Sequence, residues 1–110
     1  MRRLAVLAAC GLAACGVHGT EMVAPGYTTD AEGLAVAGSP LRIDFGRAEA
    51  GVVAAVTRLE RGPPRTSGAC SDDTVRTVSW HGGPTLFFRE GAFLGWAGGD
   101  GRSAGLSCDA

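Results

Sequence analysis

Glycine is the residue that most limits what this chain can fold into, because it occupies 18 of the 110 positions. Each glycine loses more backbone freedom on folding than any other residue, so ordering this chain has a large entropy cost. Aromatic residues are only 6% of the sequence, and the length allows one small domain. We therefore expect a small core that a covalent cross-link helps to stabilise.

The first 14 residues have the pattern of an export signal. Arg2 and Arg3 form a positive start, and Leu4–Ala14 is an uninterrupted stretch of small and apolar side chains. At about 1.5 Å per residue this stretch spans roughly 16 Å as a helix, too short for a hydrocarbon core of about 30 Å. The segment therefore predicts a cleaved signal peptide over residues 1–14, and it does not predict a transmembrane anchor.

The end of this segment, Leu12-Ala13-Ala14-Cys15-Gly16, resembles the bacterial lipobox. In that family the chain is cut before the cysteine, which carries acyl chains, so the resemblance implies lipidation at Cys15 and attachment to a membrane. A second match places its cysteine at Cys10, but it leaves an apolar run of only Leu4–Ala9, so Cys15 is the preferred site. An unlipidated periplasmic or secreted protein remains the alternative.

The residue after the lipobox cysteine is Gly16. The lipoprotein family often uses Asp at this position to keep the protein on the inner membrane. The resemblance therefore implies a location in the cell envelope, on the periplasmic side of the outer membrane where the host has one.

The mature chain is acidic. It keeps eight of the ten basic residues, all of them arginine, against eleven acidic residues, so its net charge is −3. Binding to nucleic acid requires clustered positive charge, and we therefore expect no nucleic-acid partner.

The pattern divides the mature chain into a tether and one domain. Residues 15–39 contain repeated Gly and Pro without apolar periodicity, which predicts a lipidated flexible tether. Part of it, Gly33–Ala37, could dock on the domain as a strand. Residues 40–110 form the predicted small α+β domain.

The predicted domain consists of one helix packed on a small antiparallel sheet of about four strands. In the helix, Ala48–Arg61, apolar residues recur at the spacing of one helical face, and Gly62 follows as the residue that ends it. Glu90-Gly91 has the composition of a two-residue hairpin turn. The predicted strands are Leu41–Phe45, Val75–Trp80, Thr85–Arg89 and Ala92–Trp96.

Two thiols remain when Cys15 is modified, namely Cys70 and Cys108. An exported domain meets an oxidising compartment, so we predict that they form a disulfide. The bond would close a loop of about 38 residues, worth roughly 4 kcal/mol in the chain-entropy account. A metal site is disfavoured because neither cysteine has a C-x-x-C partner or a nearby histidine, and no cofactor is expected.

The residues that could support catalysis have more ordinary explanations. His81 precedes two glycines and could shuttle protons, but an exposed turn histidine is the favoured interpretation. Ser79 with His81 and Asp72 or Asp73 lacks the G-x-S-x-G elbow of a hydrolase. The loop 98–101 has glycines like a phosphate-binding loop, but no helix follows it. We therefore expect no catalytic residue and no enzymatic activity.

The aromatic side chains are concentrated in the predicted strands. Alternation places Leu86 and Phe88 on one face and Phe87 on the other. One set should pack on the helix. The other either forms an exposed interaction surface, for which Trp80, Phe87 and Trp96 are the candidates, or is also part of the core.

The order of a strand, a helix ending at Gly62-Pro63 and a β-meander with two tryptophans is similar in layout to small envelope lipoproteins that assist outer-membrane β-barrel assembly. It is also similar to β-lactamase-inhibitor-like modules. The resemblance implies an α+β sandwich that binds protein without catalysis.

We therefore expect a lipid-anchored envelope protein with a small non-catalytic interaction domain, which contacts the membrane through its anchor and could bind another envelope protein. The alternatives are a small-ligand or inhibitor-like module, which requires a concave site lined by Trp80, Phe87 or Trp96, and a hydrolase, which requires a buried His81 bonded to a carboxylate.

Overall fold

The computed structural model of the protein describes residues 26–109. The predicted signal peptide and both candidate lipidation sites, Cys10 and Cys15, lie outside the described residues. The elements in chain order are β1 (Tyr27–Asp30), β2 (Gly33–Val36), β3 (Arg42–Asp44), α1 (Glu49–Glu60), β4 (Thr66–Ala69), β5 (Val75–Ser79), β6 (Thr85–Arg89), β7 (Ala92–Ala97) and β8 (Ser103–Gly105).

The strands form two antiparallel meanders, a three-stranded sheet of order β1-β2-β3 and a five-stranded sheet of order β4-β5-β6-β7-β8. The α+β class is confirmed, whereas the expected number of about four strands is too low. The unpredicted strands β4 and β8 are short and largely exposed, so they have no alternating apolar pattern. Their pairing with β5 and β7 holds them in place.

The two sheets are connected through β7. The segment that follows β3 runs along the first half of this strand: the N–H of Gly46 donates to the carbonyl of Phe93 at 2.7 Å, and Phe93 donates to Arg47 at 2.8 Å. The second half of the same edge pairs with β8. These bonds join the two meanders into one folded unit.

The folded domain begins earlier than the predicted boundary at residue 40. β1 and β2 form a tight hairpin in which the carboxylate of Asp30 accepts a hydrogen bond from the N–H of Glu32 at 2.9 Å. Tyr27 and Leu34 are 4% and 0% exposed. Much of the predicted tether is therefore part of the core, and the stretch Gly33–Ala37 does contribute a strand.

The main core lies between α1, the three-stranded sheet and one face of the five-stranded sheet. Val52 and Val56 are the fully buried residues of the helix. The buried members of this core are Tyr27, Leu34, Ile43, Val52, Val56, Val78, Trp80, Leu86, Phe88, Phe93 and Trp96. A second cluster, Cys70, Val75 and Phe87, lies on the opposite face of the larger sheet, with Ala97 and Leu106 packed against it.

A β-bulge in β7 determines which aromatic rings enter the main core. Phe88 pairs with Phe93, but Phe87 pairs with Gly95, so Leu94 is an extra residue in β7. Strict alternation would place residues 93 and 96 on opposite faces of the sheet. The extra residue places both Phe93 and Trp96 in the main core.

The helix ends one residue earlier than expected. Arg61 has a left-handed backbone (φ 63°), and its N–H bonds to the carbonyl of Arg58. Gly62, predicted as the left-handed residue, instead donates to the carbonyl of Thr57 at 3.2 Å. These two bonds form a Schellman motif, which satisfies carbonyls in the last turn of the helix.

Candidate functional site

The three aromatic residues proposed for an interaction surface are buried. Trp80, Phe87 and Trp96 are 2%, 6% and 3% exposed. The indole N–H of Trp80 donates to the hydroxyl of Thr57 at 3.2 Å, and that of Trp96 donates to the carbonyl of Asp30 at 2.7 Å. The expectation of an exposed aromatic surface is corrected accordingly, because both sides of the larger sheet are covered.

The predicted disulfide is confirmed. Cys70 and Cys108 are bonded, with their Cα atoms 5.3 Å apart and a sequence separation of 38. Cys70 belongs to the cluster with Val75 and Phe87 on the outer face of the five-stranded sheet. The bond therefore holds the segment after β8 over Phe87, which explains why the second aromatic face is also buried.

The geometry of a catalytic triad is not assembled. His81 is exposed, and none of the side-chain hydrogen bonds within residues 26–109 involves it. The hydroxyl of Ser79 bonds to that of Thr66 at 2.5 Å. Asp72 accepts from the hydroxyl and the N–H of Thr74, and these bonds lower the pKa of its carboxyl group. The structure thus ties two of the three candidate residues to other partners.

The Gly98–Gly101 loop is a hairpin connection between β7 and β8. Gly98 donates to the carbonyl of Arg102 at 2.8 Å, and Gly101 has a left-handed backbone (φ 91°). The carboxylate of Asp100 accepts from the N–H of Arg102 at 3.1 Å. The loop's glycines therefore serve a tight turn.

The described part of the chain has neither a metal-binding cluster nor a membrane-spanning helix. Residues 26–109 contain no group of three or more His, Cys, Asp or Glu side chains that could hold a metal ion. Among these residues, no helix has the length and apolar character needed to cross a bilayer.

A groove between α1 and the end of the three-stranded sheet is the main candidate for an interaction surface. It has a volume of about 330 Å³, and we refer to it as the α1–β3 groove. Its apolar lining residues are Val36, Leu41, Ile43, Ala55 and Leu59. Three arginines, Arg42, Arg47 and Arg58, also line it.

Leu41 gives this groove its apolar opening. It is 71% exposed and is the one large hydrophobic residue of the described chain with such exposure. Ile43, two positions later, lies within β3 and is 8% exposed, whereas Leu41 precedes the strand. The core thus covers Ile43, whereas Leu41 stays exposed to solvent. A strand pattern in the sequence cannot reveal this difference, because both residues fit the same alternation.

The arginines of the groove differ in their partners. Arg42 is bound by Asp30 through two bonds of 2.8 and 3.0 Å and by Asp44 at 2.7 Å. These carboxylates raise the pKa of Arg42, and the hydrogen bond from Arg42 is the main reason that the pKa of Asp30 is lowered. By contrast, Arg47 and Arg58 form no ion pair with any carboxylate of residues 26–109. The groove therefore carries two positive charges that are not neutralised locally.

The described chain starts beside this groove. The carbonyl of Gly26 accepts from the N–H of Ala37 at 2.8 Å. A Cβ atom placed on Gly26 would lie 3.0 Å from Cδ2 of Leu59, which lines the groove. Gly26 therefore lies next to the α1–β3 groove.

A second concavity, here termed the polar cleft, lies between β1 and the loops that follow β5 and β7. It has a volume of about 370 Å³, and its lining includes Tyr27, Glu60, Gly83, Trp96, Asp100 and Arg102. The guanidinium carbon of Arg102 lies 5.9 Å from the centre of the Trp96 ring. This contact covers part of the ring from the cleft side.

A partly buried hydrogen bond forms one wall of the polar cleft. The hydroxyl of Tyr27 donates to the carboxylate of Glu60, connecting β1 to the last residue of α1. Burial raises the pKa of Tyr27, and the bond to Glu60 raises it further. This pair could not be predicted from the sequence, because Tyr27 lies in the stretch with tether-like composition.

Comparison with protein-family models, curated proteins and solved structures finds no match to this chain.

Proposed function

We propose that the protein is an exported, lipid-anchored protein of the cell envelope whose mature part is a small non-catalytic interaction domain. Cys15 carries the lipid, and the α1–β3 groove is the surface through which the domain interacts. The observation that supports this proposal best is the combination of an exposed Leu41 with Arg47 and Arg58, which have no carboxylate partner in the described chain.

Two further features support this proposal. The N-terminal sequence combines a positive start, an apolar run and a lipobox in the order of a lipoprotein signal. The Cys70–Cys108 disulfide is the kind of bond that persists in oxidising compartments outside the cytoplasm. For a host with an outer membrane, we propose the periplasmic face of that membrane as the location.

Intact-mass analysis of the membrane fraction tests the anchor. In the wild type we expect a mature chain that starts at Cys15 and carries the mass of its acyl chains. Cys15→Ala should leave an unprocessed or soluble chain without that mass. Cys10→Ala is the matched control and should leave lipidation unchanged. An unmodified Cys15 in the mature wild-type protein would refute the proposal.

The polar cleft supports a second candidate function, a small-ligand-binding module. Trp96 lines the cleft, together with carboxylates of Glu60 and Asp100 and the guanidinium of Arg102. A ligand in the cleft would displace Arg102 from the ring and change the fluorescence of Trp96. A fluorescence screen of small polar compounds tests this candidate, and Arg102→Ala should alter any response that arises in the cleft.

A further inference from the structure

The distance between the proposed anchor and the domain is short. Residues 16–25 lie between Cys15 and Gly26 in the sequence. If these ten residues form the flexible tether that their composition predicts, their typical reach is about 18 Å, at roughly 5–6 Å × √n. A domain of this size is about 30 Å across, which is wider than that reach. The face around Gly26 is therefore the one that most often lies near a membrane that holds Cys15.

That face contains the α1–β3 groove. Gly26 lies against Leu59, and the exposed Leu41 and Arg58 line the same groove. Arg61, exposed at the end of α1, is another arginine without an ion-pair partner among the described residues. Among the described residues, Arg47, Arg58 and Arg61 are thus positive charges beside α1 without an ion pair. The nearby acidic residues are already bonded, Asp30 and Asp44 to Arg42 and Glu60 to Tyr27. The mature protein as a whole is acidic.

These features match an anionic lipid surface. A single exposed leucine can enter the boundary between headgroups and acyl chains, and arginine binds phosphate groups through several donors. Arginines close to an anionic membrane are attracted to its surface. An extended peptide would also fit an apolar groove. However, this groove lies beside Gly26, where the short link from Cys15 joins the domain, so the membrane is the nearer surface.

We propose that the α1–β3 groove docks on the anionic lipid surface to which the protein is anchored, with Leu41 at the headgroup boundary and Arg47 and Arg58 on lipid phosphates. This inference rests on the proposed lipid anchor at Cys15. It assigns the domain a fixed orientation on the membrane, with the C-terminal disulfide region directed away from the lipid.

Tryptophan quenching in reconstituted vesicles tests the orientation. The lipidated protein with Leu41→Trp is placed in vesicles of equal parts phosphatidylcholine and phosphatidylglycerol that carry brominated acyl chains. Ser71→Trp is the matched control, since Ser71 is exposed beside Cys70 on the face turned away from α1. The native tryptophans are 2% and 3% exposed and give the same background in both variants.

We expect strong lipid quenching at position 41, little at position 71, and a marked loss of quenching at position 41 in vesicles of phosphatidylcholine alone. Replacing Arg47 and Arg58 by Gln should lower the ratio of docked to undocked protein about fivefold for each arginine. Equal quenching at both positions would overturn the docking. Shielding of position 41 from an aqueous quencher without lipid quenching would also overturn it, since protein would then cover the groove.

Intact mass measured on the same sample separates this inference from the proposed function. A chain without acyl mass contradicts the lipid anchor itself. A lipidated chain with no difference between positions 41 and 71 contradicts the docking alone.

Discussion

Replacing Tyr27 by Phe should show how strongly β1 depends on the end of the helix. The phenol is 4% exposed and donates to Glu60, so Tyr27→Phe removes the donor and leaves the carboxylate without this partner. Hydrogen bonds to charged groups contribute about 1.5–3 kcal/mol. Glu60 is half-buried and can regain water, so we expect a loss near the lower limit, about 1.5 kcal/mol.

Urea unfolding of the mature protein measures this loss. The set comprises wild type, Tyr27→Phe, Glu60→Gln and the double variant, which together form a double-mutant cycle. We expect the two substitutions to be non-additive, because Tyr27→Phe removes the hydrogen bond and Glu60→Gln removes the charge that strengthens it. Thr28→Val, an exposed change on the same strand, is the control and should alter the free energy of unfolding only slightly.

The same residue predicts a loss of stability at alkaline pH. Its pKa is raised in the folded protein, whereas in the unfolded chain it should be about 10, the usual value for tyrosine. Below pH 10 both states keep the phenolic proton and the stabilisation is fully present. Above it the unfolded state loses the proton first, so stability falls as pH rises, and the difference between wild type and Tyr27→Phe should shrink.

Spectrophotometric titration tests this shift directly, because Tyr27 is the single tyrosine of the chain. The folded protein should ionise this phenol at higher pH than the urea-unfolded protein. If the folded protein titrates at the ordinary tyrosine value, or if Tyr27→Phe leaves the free energy of unfolding unchanged, the reasoning about this pair is wrong.

Other predictions concern the covalent and backbone contacts of the larger sheet. The double substitution Cys70→Ala and Cys108→Ala should lower the free energy of unfolding by about 4 kcal/mol for a loop of 38 residues, as measured by urea unfolding. An unchanged midpoint would contradict this account. Gly95→Ala should lower the melting temperature, because the added Cβ would lie 2.0 Å from the carbonyl oxygen of Leu106. Gly99→Ala, whose Cβ meets open space, is its control, and equal effects of the two would contradict the proposed close contact.

The sequence predicts those elements whose own residues supply the stabilising contacts. Ala48–Arg61 carries a clear helical periodicity because one of its faces packs on the main core. Thr85–Arg89 is recognisable as a short apolar run between turns, and its three central residues are buried on both faces of the sheet. The turn Glu90-Gly91 is also confirmed, since both residues adopt positive φ angles of 52° and 77°. β4 and β8 were missed because their stability comes from hydrogen bonds to neighbouring strands, and these leave no pattern in the sequence.

The candidate site was less predictable for a physical reason. Whether Leu41 is covered depends on the packing at the end of the sheet. Whether the charge of Arg58 is paired depends on which carboxylates lie near it in the folded chain. Both are properties of the assembled structure. Similarly, the bulge at Leu94 moves the side chains that follow it in β7 to the opposite face of the sheet. Alternation alone therefore cannot assign the environment of Trp96. The disulfide could be predicted, because residues 40–110 contain only two cysteines.

The position of the disulfide has a consequence for the order of assembly. Every buried residue of the main core lies between Tyr27 and Trp96, upstream of Cys108. The core can therefore form before the second sulfur reaches the sheet. The thiols come together when β8 has paired with β7 and the following segment lies over Phe87. We therefore expect the disulfide to form after the main core and to hold β8 and the segment over Phe87 against the finished sheet.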